Sequence, residues 1–127
     1  MIVNDCIPAI MTSPLCHKGL DPELPATLSS KILTDLLRNK MGFDGVIISD
    51  DPQMGAIANH YDLKTVLQLM IYASVDIFCF GNNFIYDPTI VQKIHSTIVE
   101  LLDEGSITIA QVEKSYKRIM YLKTRIG

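Results

Sequence analysis

Tryptophan is absent from this 127-residue chain, and its five Tyr and four Phe are scattered. No aromatic stacking platform for nucleic acid is therefore visible. Cysteine is scarce. Cys6, Cys16 and Cys79 are odd in number and none forms a C-x-x-C pair, which excludes a disulfide framework or a Cys/His zinc site and leaves reduced thiols. No Lys/Arg stripe is present and the net charge is −3, so nucleic acid is not an expected partner. No apolar run reaches the roughly 20 residues of a membrane span. Met1 leads almost at once into a strand-like run, without the pattern of a signal peptide. A cytoplasmic location follows if Met1 is the true start, and the compartment is otherwise open. Internal repeats, low-complexity linkers and cofactor motifs are also lacking, and no metal or cofactor is expected.

What remains is a globular balance. Apolar residues make up 48% and charged residues 20%, enough for a sizeable core in one ordinary domain. Three β-rich runs stand out, at residues 7–12, 46–49 and 75–80. The second and third are almost continuously apolar, as buried parallel strands are. Helical patterns alternate with them. Residues 30–40 carry an apolar stripe of Ile32, Leu33, Leu36 and Leu37, with Ser29 as N-cap and Gly42 as stop. Residues 63–73 carry Val66, Leu67, Met70 and Ile71 behind Asp62. A third helix is expected to start at Asp87-Pro88, with Pro at its first position. It should run through Ile90, Val91, Ile94, Ile98, Leu101 and Leu102 to Gly105. The last begins at Thr108 with Gln111 three residues on, a capping box, and turns Val112, Ile119 and Met120 inward.

The order β-α-β-α-β-α-α means a parallel sheet, because parallel neighbours need a long crossover. In such sheets ligands bind at the C-terminal ends of the strands. The strand Val46-Ile47-Ile48-Ser49 delivers Asp50 and Asp51 at its exit. Two adjacent carboxylates after a buried strand are costly unless solvated, paired or used. Successive residues of an extended chain point opposite ways, so one of the two should aim into a pocket while the other caps the turn. On this physics alone a solvated turn and a catalytic carboxylate are equally good readings.

The segment Gly42-Phe43-Asp44-Gly45-Val46-Ile47-Ile48-Ser49-Asp50-Asp51, followed by Met54-Gly55-Ala56-Ile57, resembles the nucleophile segment of family 3 glycoside hydrolases. Upstream, Gly19-Leu20-Asp21-Pro22, Leu24-Pro25-Ala26-Thr27-Leu28-Ser29 and Leu36-Leu37-Arg38 are similar to the stretch that precedes it in that family. Downstream, Val75-Asp76-Ile77 and Gly81-Asn82 look like its last barrel strand, and Ser115-Tyr116 with Arg118-Ile119 like its closing helix. Members that act on glucosides usually carry Trp after the nucleophile. Asp51, with Met54 three residues on, resembles the β-N-acetylglucosaminidase (β-N-acetylhexosaminidase) branch instead.

The resemblance implies an α/β fold, namely the C-terminal part of a (β/α)8 TIM-type barrel. About three βα units and a closing helix would make residues 1–127 a single partial domain. It implies a retaining enzyme with Asp50 as nucleophile and an aminosugar-containing carbohydrate as substrate. Asp51, Met54 and Asn82 are candidates for substrate binding. The acid/base His of that branch and its Lys-His sugar-binding segment lie upstream in the family, and neither is present in these residues. The chain alone is expected to be inactive, and to self-associate or to need a complementing N-terminal half.

Two alternatives stand beside this: a non-catalytic remnant, and a receiver-like phospho-accepting domain, which should have a Lys after a late strand where this chain has Gly81-Asn82-Asn83. His17 and His95 are read as surface residues and His60 as part of a local turn. Residues 100–104 are read as a solvated acidic helix end. Pro14, Pro52 and Ser74 depart from the family pattern, Ser74 standing where Gly is usual.

Overall fold

A computed structural model describes residues 7–83 and 86–126, apart from the side chains of Ala56 and Ile126. Cys6 lies outside the described residues. Strand β1 (Ala9–Met11) and strand β2 (Val46–Ile48) pair in parallel, with Ala9 opposite Val46 and Met11 opposite Ile48. The expected α/β class and parallel pairing are thus observed. Between the strands lie a short helical turn, Ala26–Leu28, and a helix over Lys31–Lys40. That helix is of the wide π type, its end marked by a bond from the Met41 amide to the Leu36 carbonyl, 2.9 Å. Apolar spacing foretells the helix but not its widening. The Ser29 hydroxyl accepts the Ile32 amide at 3.1 Å, as an N-cap should, and Gly42 ends the helix at φ +75°.

The third expected strand is reduced. Only Ile77 bridges Ile48, again in parallel. Side chains account for the missing ladder. The Asp76 carboxylate takes the Ile47 amide at 3.0 Å, and the Ser49 hydroxyl takes the Cys79 amide at 2.9 Å. Amides that would extend the sheet are committed elsewhere, and regular pairing stops after one residue.

Helices α1 (Gly55–Ala58), α2 (Leu63–Tyr72), α3 (Ile90–Asp103) and α4 (Ile109–Ile126) follow. Asp62 caps α2 by accepting the Thr65 amide at 2.8 Å. α3 starts later than expected. The Asp87 carboxylate accepts both the amide and the hydroxyl of Thr89, at 2.9 and 2.6 Å. This side-chain turn delays the helix to Ile90, so Pro88 precedes it and is not its first residue. Gly105 closes α3 at φ +78°. The capping box of α4 is present, Thr108 amide to Gln111 Oε1 at 2.8 Å and Gln111 amide to Thr108 Oγ1 at 3.2 Å.

The core gathers Leu28, Phe43, Ile47, Ile57, Leu67, Met70 and Leu101, all fully buried. The inward side of α4 follows its apolar stripe only in part, since Ile119 is half-buried but two other stripe residues are exposed. Val112 is 38% and Met120 40% exposed, whereas Ser115 and Arg118 face the sheet through Asp76.

Candidate active site

Asp50 follows β2 by two residues, at the C-terminal end of a parallel strand. Its amide donates to Thr12 Oγ1 at 3.3 Å. Thr12 in turn shares a 2.9 Å hydroxyl contact with Thr27, whose hydroxyl donates to the Ser13 carbonyl at 2.9 Å. The loop after β1 therefore braces the exit of β2. The half-buried Asp50 carboxylate accepts the Asp51 amide at Oδ1, 2.8 Å. Among the described residues, no donor is bonded to its Oδ2.

Asp51 is engaged differently. Its Oδ1 accepts the Gln53 amide at 2.9 Å and its Oδ2 the Gly81 amide at 3.0 Å. Gln53 makes a second link, its Oε1 accepting the Asn82 amide at 2.7 Å. The Asn82 side chain is spent on its own loop, donating to the Asp87 carbonyl at 2.9 Å and accepting the Asp87 amide at 3.0 Å. Asn82 takes φ +55° there, a region that Asn tolerates better than most residues. Met54 is half-buried at the head of α1. Its amide reaches the Asp51 carbonyl, 3.2 Å, and its own carbonyl accepts the Ile57 amide, 3.0 Å. The structure so brings Asp50, Asp51, Met54 and Asn82 to one rim, while the contacts of Asp51 and Asn82 are with backbone. Gln53 escaped the sequence reading, because its partner lies 29 residues away and no local pattern points to it.

A cleft of about 500 Å³ opens beside this rim, between α2 and the start of α3. Pro52, Gln53, Tyr61, Phe80, Asp87 and Lys93 line it, and Asp50 does not. Asp87 is held low, from 3.8 to about 2, chiefly by its bond from Lys93 and then by Thr89. His17, His60 and His95 are all exposed. No group of three or more His, Cys, Asp or Glu that could hold a metal occurs among the described residues. Nor, among them, is any helix long and apolar enough to cross a membrane.

The opposite end of the sheet carries a buried ion cluster. The Asp76 side chain is 0% exposed. Its Oδ2 accepts from Arg38 at 2.8 Å, and its Oδ1 from Ser115 at 2.7 Å and Arg118 at 2.9 Å. Burial pushes the Arg38 guanidinium below its usual range, and Asp76 opposes that shift. Arg38 also bonds the Ser74 hydroxyl at 2.7 Å and the Gly45 carbonyl at 2.9 Å. Here two guanidinium groups, Arg38 and Arg118, share the one buried Asp76 carboxylate, which marks the cluster as scaffold; the Asp50 carboxylate is at the other end.

A parallel strand pair with acidic residues at its exits is the arrangement of α/β domains built on βα units, whose ligand sites lie at the strand ends. Residues 1–122 match the family model described as glycosyl hydrolase family 3 N terminal domain, and the chain belongs to that family. It is 33% identical over 126 residues to an uncharacterized secreted glycosyl hydrolase of Arthroderma benhamiae, covering 98% of this chain and 35% of that protein. A β-N-acetylglucosaminidase/β-glucosidase of Cellulomonas fimi is 28% identical over 104 residues, covering 82% of this chain and 17% of its own length. Among solved structures, the β-N-acetylglucosaminidase of Thermotoga maritima superposes with a TM-score of 0.81 at 33% identity, over 90% of this chain and 24% of that one. A family 3 β-N-acetylglucosaminidase of a Paenibacillus species gives 0.84 at 27% identity, over 94% and 22%. The chain thus spans about a third or less of the length of these relatives.

Proposed function

We propose that this chain carries the nucleophile-bearing part of a retaining β-N-acetylhexosaminidase, a segment of a (β/α)8 barrel that cleaves terminal N-acetylglucosamine. The observation that carries the reading is Asp50 at the exit of a parallel strand, with one carboxylate oxygen pinned and the other unbonded among the described residues. Oδ2 is the attacking atom. It forms a bond to the anomeric carbon as the glycosidic C–O bond breaks and the departing oxygen takes a proton from an acid. Water then displaces the Asp50 carboxylate with a second inversion, giving net retention. By the family resemblance, the acid/base His lies on an upstream loop and the sugar-binding Lys-His segment lies upstream too, and neither is present in these 127 residues. The chain alone is therefore inactive, and associates with itself or with a chain carrying the earlier βα units. Asp50 does not line the cleft on the flank, but the site is assigned by strand exit because the remaining strands would form the rest of its wall.

A chimera tests the assignment. Residues 9–123 replace the matching segment of the Thermotoga maritima enzyme, and release of an aryl leaving group from an aryl N-acetylglucosaminide is followed. Turnover by the chimera and a loss of at least ~10³-fold in D50A are expected, since removing a nucleophile abolishes the covalent route. A folded, active chimera in which D50A leaves the rate unchanged overturns the role of Asp50. Clear turnover by the unaided 127-residue chain overturns the inactivity.

A further inference from the structure

Asp51 stands beside the proposed nucleophile and is a natural candidate for touching sugar. Its contacts point elsewhere. Both carboxylate oxygens are already bonded to backbone amides, one within its own turn (Gln53) and one on the exit of the third extended segment (Gly81). Gln53, two residues beyond Asp51, repeats the connection to the Asn82 amide, one residue beyond Gly81. Two adjacent cross-links therefore join the turn after β2 to the segment after Ile77.

Position 81 is shaped for this. A Cβ there would stand 2.5 Å from Asp51 Oδ2, closer than a carbon and a carboxylate oxygen can approach. Only glycine lets the carboxylate reach this amide. The far anchor is itself fixed, because the Asn82 side chain closes a ring of two bonds with the Asp87 backbone. At the near end, the amide of Asp51 is the group that holds Asp50 Oδ1. Fixing the Asp51 side chain fixes the plane of the peptide between residues 50 and 51, and with it the rotamer of Asp50.

We infer that Asp51 and Gln53 are positioning residues, a double clamp that holds the Asp50 carboxylate with Oδ1 bonded and Oδ2 presented. Their role is to orient the attacking oxygen and not to bind sugar. This deepens the hydrolase reading and rests on it for its purpose, but the clamp itself is a conformational claim. Preorganisation of this kind lets a reacting group attack without first being ordered.

The test uses the 127-residue chain in isotope-labelled form. Scalar couplings across hydrogen bonds are measured in the unmodified chain from the Gly81 amide to Asp51 Cγ, from the Asn82 amide to Gln53 Cδ and from the Asp51 amide to Asp50 Cγ. All three are expected. Three-bond couplings to Asp50 Cγ then report its χ1 rotamer in the unmodified chain, D51A, Q53A and D62A. One rotamer is expected in the unmodified chain and averaged values in D51A, with Q53A between them. D62A, which removes a distant helix cap, lowers the melting temperature but leaves Asp50 in its single rotamer. Missing couplings to Asp51 and Gln53 in the unmodified chain overturn the clamp, whether or not any variant folds. So does a rotamer of Asp50 indifferent to D51A, or one averaged as much by D62A. A failed chimera assay counts against the hydrolase reading alone and leaves these couplings as they are.

Discussion

Ser74 adopts φ +68°, a conformation that costs a residue with a Cβ about 1–2 kcal/mol and that glycine takes freely. This is why glycine is the usual occupant there. The hydroxyl compensates by accepting Arg38 Nε at 2.7 Å, a bond to a buried charge worth roughly 1.5–3 kcal/mol. The two effects nearly offset, with the bond somewhat ahead. Ser74→Gly should cost about 1 kcal/mol and Ser74→Ala about 2 kcal/mol or more, because alanine keeps the strain and loses the acceptor. Urea denaturation of both variants checks the order, and a chain stabilised by Ser74→Gly contradicts this account of Arg38. Asp76 is less forgiving. Its removal leaves Arg38 buried without its counter-ion, at a cost of about 3–5 kcal/mol, a large share of the 5–15 kcal/mol typical of a domain. Asp76→Ala is therefore expected to unfold at a much lower urea concentration than the unmodified chain, followed by circular dichroism.

Acid should act through Asp87 and Asp21. Both have folded values below 3.8, Asp87 at about 2 through Lys93, and Asp21 through its bond from Ser29. A depressed carboxylate contributes stability that is whole above the unfolded value and is lost as pH falls through the folded one. Asp62 and Glu104 are lowered likewise, Glu104 from 4.5, so the melting temperature should begin to fall as pH drops through about 4.5 and go on falling to about 2. Asp87→Asn should melt below the unmodified chain at neutral pH and converge with it near pH 2. Parallel curves down to pH 2 would remove Asp87 from the explanation.

At the scale of elements, caps were the best-written part of the sequence. Thr108 with Gln111, Asp62 with Thr65, and Gly42 and Gly105 sit where short-range chemistry puts them. Thr108→Ala should cost about 1 kcal/mol and fray the first turn of α4, readable as faster amide exchange at residues 109–112. Elements that depend on distant partners were not legible. The third strand shrank because Asp76 and Ser49 side chains took amides from their neighbours. α4 turned its Ser115 and Arg118 edge inward because a buried carboxylate outweighs a modest apolar stripe. Asp50 and its strand were readable from an apolar run ending in acid. The bonds from Asp51 and Gln53 to residues 81 and 82 were not, since nothing in either segment names the other. The acidic run at 100–104 proved to be partly paired, Glu100 and Glu104 both meeting Lys64 of α2.

The whole molecule leaves apolar surface uncovered. Met11 is 60% exposed on β1, and Ile109, Tyr116 and Tyr121 are each at least 60% exposed on α4. Surface of this kind marks contact with another chain or a liability to aggregate. Sedimentation velocity is expected to show the apparent mass rising with concentration. Met11→Lys, a charge on an edge strand, should lower it. A strictly monomeric chain at every concentration rules this out.

β2 has β1 on one side and Ile77 on the other, all running the same way. The two outer borders of such a ribbon are unlike, and what fits one is the other. Copies that join through these unlike borders stack head to tail in a single polar direction. Growth of that kind has no natural stopping number short of a ring, so scattered light should climb without a plateau at the mass of two chains.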